Sequence, residues 1–196
     1  MLLTEHGIEI HKKLLKLPFK SQVFFGLLCA ERLRACCWAF AKEENWDISN
    51  YIEGCDFLFN HLTHNFDFEQ LEIENRFTAL ETIVPYSDDF GDFLSTQAQS
   101  GLVALLDTFE FCRGKDLVTL LSVAGVVVEA LDNYNGFVHY SLEGKIPSVV
   151  DYPLLDEELL WQFEVVNLLS QGGEEDVGIY SNLRILNRFH AIPIAV

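Results

Sequence analysis

Apolar residues in this chain recur at intervals of three and four, segment after segment, from the N-terminus almost to the C-terminus. That period marks helices that bury one face, because side chains three and four positions apart share one side of a 3.6-residue turn. The strongest instance runs from about Phe19 to Glu44. Phe24, Leu27, Leu28, Ala35 and Trp38 form one stripe there and Phe25, Cys29, Cys36 and Phe40 a second, so this helix is expected to contact neighbours on two sides.

Punctuation divides the rest. Thr4 caps a short helix that ends at Pro18. Asp47 or Ser49 opens a third helix with Tyr51, Cys55, Leu58 and Leu62 on one face. Asp67 and Gln70 have the spacing of a capping box ahead of Ile73, Phe77, Leu80 and Val84, and Pro85 stops that run. Ser87, Asp88 and Asp89 open a fifth helix that reaches about Cys112, and Arg113-Gly114-Lys115 is a turn. Asp116 caps a sixth helix, apolar nearly all round, which the pattern places at the buried centre. Residues 143–155 form a loop. A seventh helix spans Asp156 to about Gln171 and an eighth Glu174 to about Arg188, with the uncharged tail Phe189 to Val196 docked on the body. The expectation is an all-α fold, a single-domain helical bundle of about seven to eight helices over residues 1–196. Val126-Val127-Val128 is its one strand-like string.

Composition narrows the partners. A chain of 196 residues, 49% hydrophobic, can bury a core as one domain. Its net charge of -17 is uneven: residues 1–42 hold seven bases and three acids, whereas residues 43–196 hold six bases and 27 acids. So negative a body repels phosphate, which makes nucleic acid an unlikely partner, and the Lys12, Lys13, Lys16 and Lys20 cluster is expected to pair with the protein's own acids. A membrane-spanning helix needs about 20 apolar residues. Leu117 to Val128 is uncharged for only 12, so no membrane segment is expected. The N-terminus lacks the pattern of a secretory signal. Cys29, Cys36, Cys37, Cys55 and Cys112 are odd in number, contain no Cys-x-x-Cys pair and read as buried thiols of a reducing compartment. The expected location is cytoplasmic.

Four carboxylates are candidates for ligand binding: Glu31, Asp88, Asp89 and Glu164. Glu31 shares the apolar stripe of Leu27 and Leu28, where desolvation makes a carboxylate a base or a ligand unless it is paired. An ion pair with Arg34 or with another helix is the plainer alternative. Asp88 and Asp89 point about 100° apart on a helix and are explained by capping. Glu164 lies on the seventh helix, where Glu157 and Glu158 fit an acidic first turn. His61 and His64 supply at most half of a metal site. Nucleophile-elbow, phosphate-loop and dinucleotide motifs are missing from the sequence. No catalytic residue, metal or cofactor is assigned.

Four landmarks together resemble a bacterial family known as domain-of-unknown-function family 416, the YjaG-like proteins. They are Leu28-Cys29-Ala30-Glu31-Arg32-Leu33, Pro85-Tyr86-Ser87-Asp88-Asp89-Phe90, the Glu158-to-Glu164 segment with Gln162, and Leu183-Arg184. The similarity covers roughly Phe24 to Arg188. It implies a compact α-helical protein and no reaction. The chain departs from the family pattern at Phe93-Leu94-Ser95-Thr96-Gln97-Ala98, where Tyr-Gly-x-Tyr-Pro-Ala is expected, and at Ser100, where an Asp is expected.

Two functional readings follow. The first is a non-enzymatic protein-interaction module or homo-oligomer, its partner an unidentified protein or a second copy in a homodimer. The alternative is a small-ligand or metal-binding helical protein, or an enzyme, with Glu31 converging on Asp88, Asp89 or Glu164.

Overall fold

The computed structural model describes residues 3–64, 67–90, 92–143, 153–172 and 177–189. They form a single all-α domain of ten helices, in order α1 (Leu3–Leu14), α2 (Phe19–Arg32), α3 (Arg34–Glu44), α4 (Ser49–Thr63), α5 (Gln70–Glu81), α6 (Ser87–Phe90), α7 (Phe93–Gly114), α8 (Leu117–Glu143), α9 (Pro153–Gln171) and α10 (Val177–Phe189). The expected docking of the tail and the Glu174 start of the last helix lie outside the described residues.

The axis of the core is α2, buried at every position from Val23 to Arg32. It packs against α7, α8, α4, α10, α9 and α3. Two of its backbone carbonyls are tied to neighbours: Tyr51 Oη donates to Ala30 O at 2.8 Å, and Asn187 Nδ2 to Leu28 O at 2.9 Å. Small residues let α7 come close. A Cβ on Gly26 would stand 2.8 Å from Thr108 Oγ1, and one on Gly101 2.6 Å from Cys37 Sγ and 3.2 Å from Leu33 Cβ.

Two long helices are each divided, which raises the count above seven to eight. The stretch Phe19–Glu44 breaks at Leu33 (φ -92°, ψ 5°), whose amide reaches back three residues to Ala30 O at 3.2 Å. The stretch from Ser87 breaks before Asp92, whose carboxylate accepts from the Ser95 amide at 2.7 Å and caps α7. The Ser87-Asp88-Asp89 signal therefore starts only the single turn of α6. Three further expectations change. α1 already includes Thr4. The Asp67–Gln70 capping box does not form: Glu69 precedes α5 without a side-chain cap, and Gln70 donates instead to Glu74 at 3.0 Å. α9 begins at Pro153, a turn earlier than the acids suggested.

Asp116 caps α8 as expected, accepting from the Val118 amide at 3.0 Å, and Val126 to Val128 stay helical. The position of α8 is the larger correction. It is not the buried centre. Its inner side, including Leu120, Val123, Val127 and Leu131, packs on α7, α2 and α9, while Val118, Ser122 and Gly125 face solvent. Leu117–Phe137 is also long and apolar enough to cross a membrane by length and composition alone, although Glu129 and Asp132 fall inside it.

Candidate functional site

Glu31 and Arg32 are neighbours near the end of α2, and each anchors a different buried polar network. Glu31 is fully buried. Arg184 from α10 holds it by three hydrogen bonds: Nε to Oε1 at 2.9 Å and to Oε2 at 3.0 Å, and Nη2 to Oε1 at 2.6 Å. The same Nη2 donates to Asp56 of α4 at 2.6 Å, and the guanidinium lies 4.2 Å over the Phe59 ring. Two more arginines reach Oε1 from further out, Arg34 Nη1 and Arg188 Nη2, each at 3.4 Å.

Arg32 faces α9 instead. Its Nε donates to Glu158 Oε2 at 2.7 Å, with both side chains buried, and the guanidinium rests 5.9 Å over Trp161. Burial pushes the Glu158 carboxyl pKa above its ordinary value, against the pull of Arg32 and of Gln162. Gln162 Nε2 donates to Glu158 Oε1 and to Ala124 O, both at 3.2 Å. That leaves Gln162 Oε1 as the acceptor for His6 Nε2–H at 2.9 Å. The relay ends there, with His6 Nδ1 buried and unpartnered. Burial pushes the imidazole pKa down, and the Gln162 bond pulls it partly back.

The four proposed site carboxylates do not share a cleft. Glu31 lies in the arginine network, Asp88 and Asp89 are exposed on α6, and Glu164 is exposed on α9. The helical register explains Glu164: it stands two positions past the buried Gln162, on the opposite side of α9. The inward acid is Glu158, which sequence reasoning assigned to a first turn. Its spacing to Leu155, Gln162 and Val165 by three, four and seven was the available signal. His61 and His64 bond to main-chain carbonyls of their own helix, Phe57 O at 3.0 Å and Asn60 O at 3.2 Å. Among the described residues no three His, Cys, Asp or Glu side chains are grouped to hold a metal ion. All five cysteines are buried and free, and burial pushes the Cys36 thiol up to about 11. Lys12 pairs with Glu9 at 2.6 Å, while Lys13 reaches Asn167 at 2.7 Å.

A cleft of about 310 Å³ lies over Glu31, lined by Arg34, Ala35, Trp38 and Arg188. Beside it a groove of about 900 Å³ shares Ala35 and Trp38 and continues past Lys42, Trp46, Ile48 and Ile52. Both Glu31 oxygens are occupied, so the binding groups in the smaller cleft are guanidiniums rather than carboxylates.

A family model described as a protein of unknown function, DUF416, matches residues 9–189. A crystal structure of a DUF416 family protein from Shewanella baltica OS155 superposes with a TM-score of 0.76 at 16% identity, over 90% of this chain and 92% of that one. The shared fold is thereby shown, and at that identity nothing finer. No curated protein sequence matches the chain.

Proposed function

The chain belongs to the DUF416 family of proteins of unknown function, a premise that carries a fold and no reaction, and from it we propose a non-enzymatic protein-interaction module of the cytoplasm that self-associates through α8. One observation carries this reading. Leu117–Phe137, with a mean hydropathy of 1.5, is only 33% buried, and Val118 is 68% exposed. Outward on α8 stand Val118 and Phe137, with Ser122, Gly125, Glu129 and Asp132 between them, so the face offers two apolar anchors in a polar setting, as protein contacts do. A hollow of about 240 Å³ between α1, α8 and α9, lined by His6, Ile10, Leu121, Ala124, Val128 and Gln162, gives that surface relief. A symmetric dimer is the simplest assembly, because one self-complementary patch suffices. The five buried, unpaired thiols support the cytoplasmic location.

Sedimentation equilibrium tests the reading. The expected mass is twice 22.4 kDa at micromolar concentration, and Val118→Glu, an exposed change that leaves the fold intact, returns the protein to monomer. A chain that stays monomeric at its highest soluble concentration overturns the reading.

A further inference from the structure

We propose that the cleft over Glu31 binds the C-terminal carboxylate of a partner polypeptide whose last side chain is large and apolar. This site is separate from the α8 surface and does not depend on it.

The donors come first. Among the described residues Arg34 and Arg188 each make a single hydrogen bond, to Glu31 Oε1 at 3.4 Å. Charge-assisted bonds of this kind are ordinarily about 2.7–2.9 Å, so neither guanidinium is spent on Glu31. The short bonds to it all come from Arg184. Both loosely held arginines line the cleft, and Arg188 is half exposed.

Charge fixes the class of anion. Around this point three arginines, Arg34, Arg184 and Arg188, face two carboxylates, Glu31 and Asp56, a surplus of one positive charge on a chain of net charge -17. One carboxylate neutralises that surplus. A phosphate dianion leaves an unpaired negative charge inside an already negative field. Two guanidiniums with free N–H groups also match the planar, two-oxygen geometry of a carboxylate.

Size and shape fix the rest. Trp38, 51% exposed, is the apolar wall of the cleft. At about 310 Å³ the cleft lies at the lower end of the roughly 300–1,000 Å³ typical of ligand pockets. The acid and the apolar group must therefore sit on one residue, as they do at a chain terminus. The 900 Å³ groove beyond Trp38 then receives the preceding residues. Basic side chains there complement the acidic body.

Fluorescence anisotropy with N-terminally labelled decapeptides provides the test. Each probe carries three lysines upstream and ends in phenylalanine, leucine or tryptophan, as the free acid or as the C-terminal amide. At least one free acid is expected to bind about tenfold or more tightly than its amide. The Arg34→Gln/Arg188→Gln double variant is expected to lower the acid to the affinity of the amide, and Trp38→Ala to weaken both. Equal binding of acid and amide, or binding of neither up to about 1 mM, overturns the proposal. So does phenylpropionate alone competing as strongly as the peptide, which reassigns the site to a small acid. If the double variant does not fold, the acid–amide comparison on the parent protein decides by itself. The sedimentation result bears only on α8, so the two readings fail separately.

Discussion

Glu31 and Glu158 are equally buried, on helices that pack against each other, and they are kept in opposite ways. Glu31 has three arginines within 3.4 Å and an opening to solvent beside it. Glu158 has one arginine and an amide, and the chain of contacts runs through Gln162 to His6, both on the wall of the hollow beside α8. Removing a charge from water costs several kcal/mol, and an ion partner with good geometry only offsets that cost. The Glu158 side sits near that balance, with its carboxyl pushed up by burial. The Glu31 side is oversupplied with cation. A supply that just meets the need makes a structural element, and a surplus at a solvent-facing cleft makes a place for a ligand.

The comparison is broken most severely by Arg32→Met. It strands Glu158 without a cation, and the expected loss is about 3–5 kcal/mol at pH 7, read by urea unfolding. The sign of its pH dependence follows from the raised carboxyl. A folded-state pKa above the unfolded one contributes stability that is present below the unfolded value and lost as pH rises through the folded one. In Arg32→Met that pKa climbs further, so the deficit against the parent protein narrows between pH 7 and pH 5. A deficit that stays constant would mean Glu158 is solvated there.

Arg184→Met is expected to cost less, about 1–3 kcal/mol by the same measurement, although Arg184 makes three bonds to Glu31. Arg34 and Arg188 remain within reach of Glu31 Oε1, and Asp56, half exposed, turns to water. A loss equal to that of Arg32→Met would show that the outer arginines do nothing for Glu31. The uncharged end of the other network gives a smaller effect. Burial lowers the His6 pKa, so its contribution is present above about pH 6.5 and is lost as pH falls through that value toward the folded one. His6→Leu leaves Gln162 Oε1 without a donor, costs about 1 kcal/mol near neutrality, and flattens the decline in stability between pH 7 and pH 5.5.

Much of this architecture was readable from the residues. Helical spacing, the Asp116 cap and the end of α7 beside Lys115 all lie within single segments, where a local rule suffices. Helix breaks were harder to read, because Leu33 and Asp92 interrupt an unbroken pattern and the first depends on how closely α7 can press at Gly101. The pairing of Glu31 was half legible: Arg34 at i+3 was visible, but Arg184 lies 153 positions away and no local spacing points to it. Glu158 was misplaced for a plain reason, since an acid near a helix start satisfies the dipole rule whether or not it also faces inward. The stretches that resemble the family contain Glu31, Arg32, Glu158, Gln162 and Arg184, all of them members of the two buried networks. These side chains tie helices together, so the resemblance carried the architecture.

The smallest expected effect on stability is the most informative about function. Arg188→Gln removes a half-exposed cation whose one bond among the described residues is 3.4 Å long, and such surface pairs contribute about 0–1 kcal/mol. The variant is therefore expected to unfold within about 0.5 kcal/mol of the parent protein. Because the surplus charge at the cleft is a single unit, the same variant makes the cleft neutral, and its preference for a free carboxylate over the amide should fall sharply. Measured together, the two quantities separate the roles of the arginines: Arg184 acts on stability, Arg188 on binding. If Arg188→Gln instead destabilised the protein as much as Arg184→Met, all three guanidiniums would be serving the buried Glu31, and the surplus that distinguishes its side of α2 from the Glu158 side would not exist.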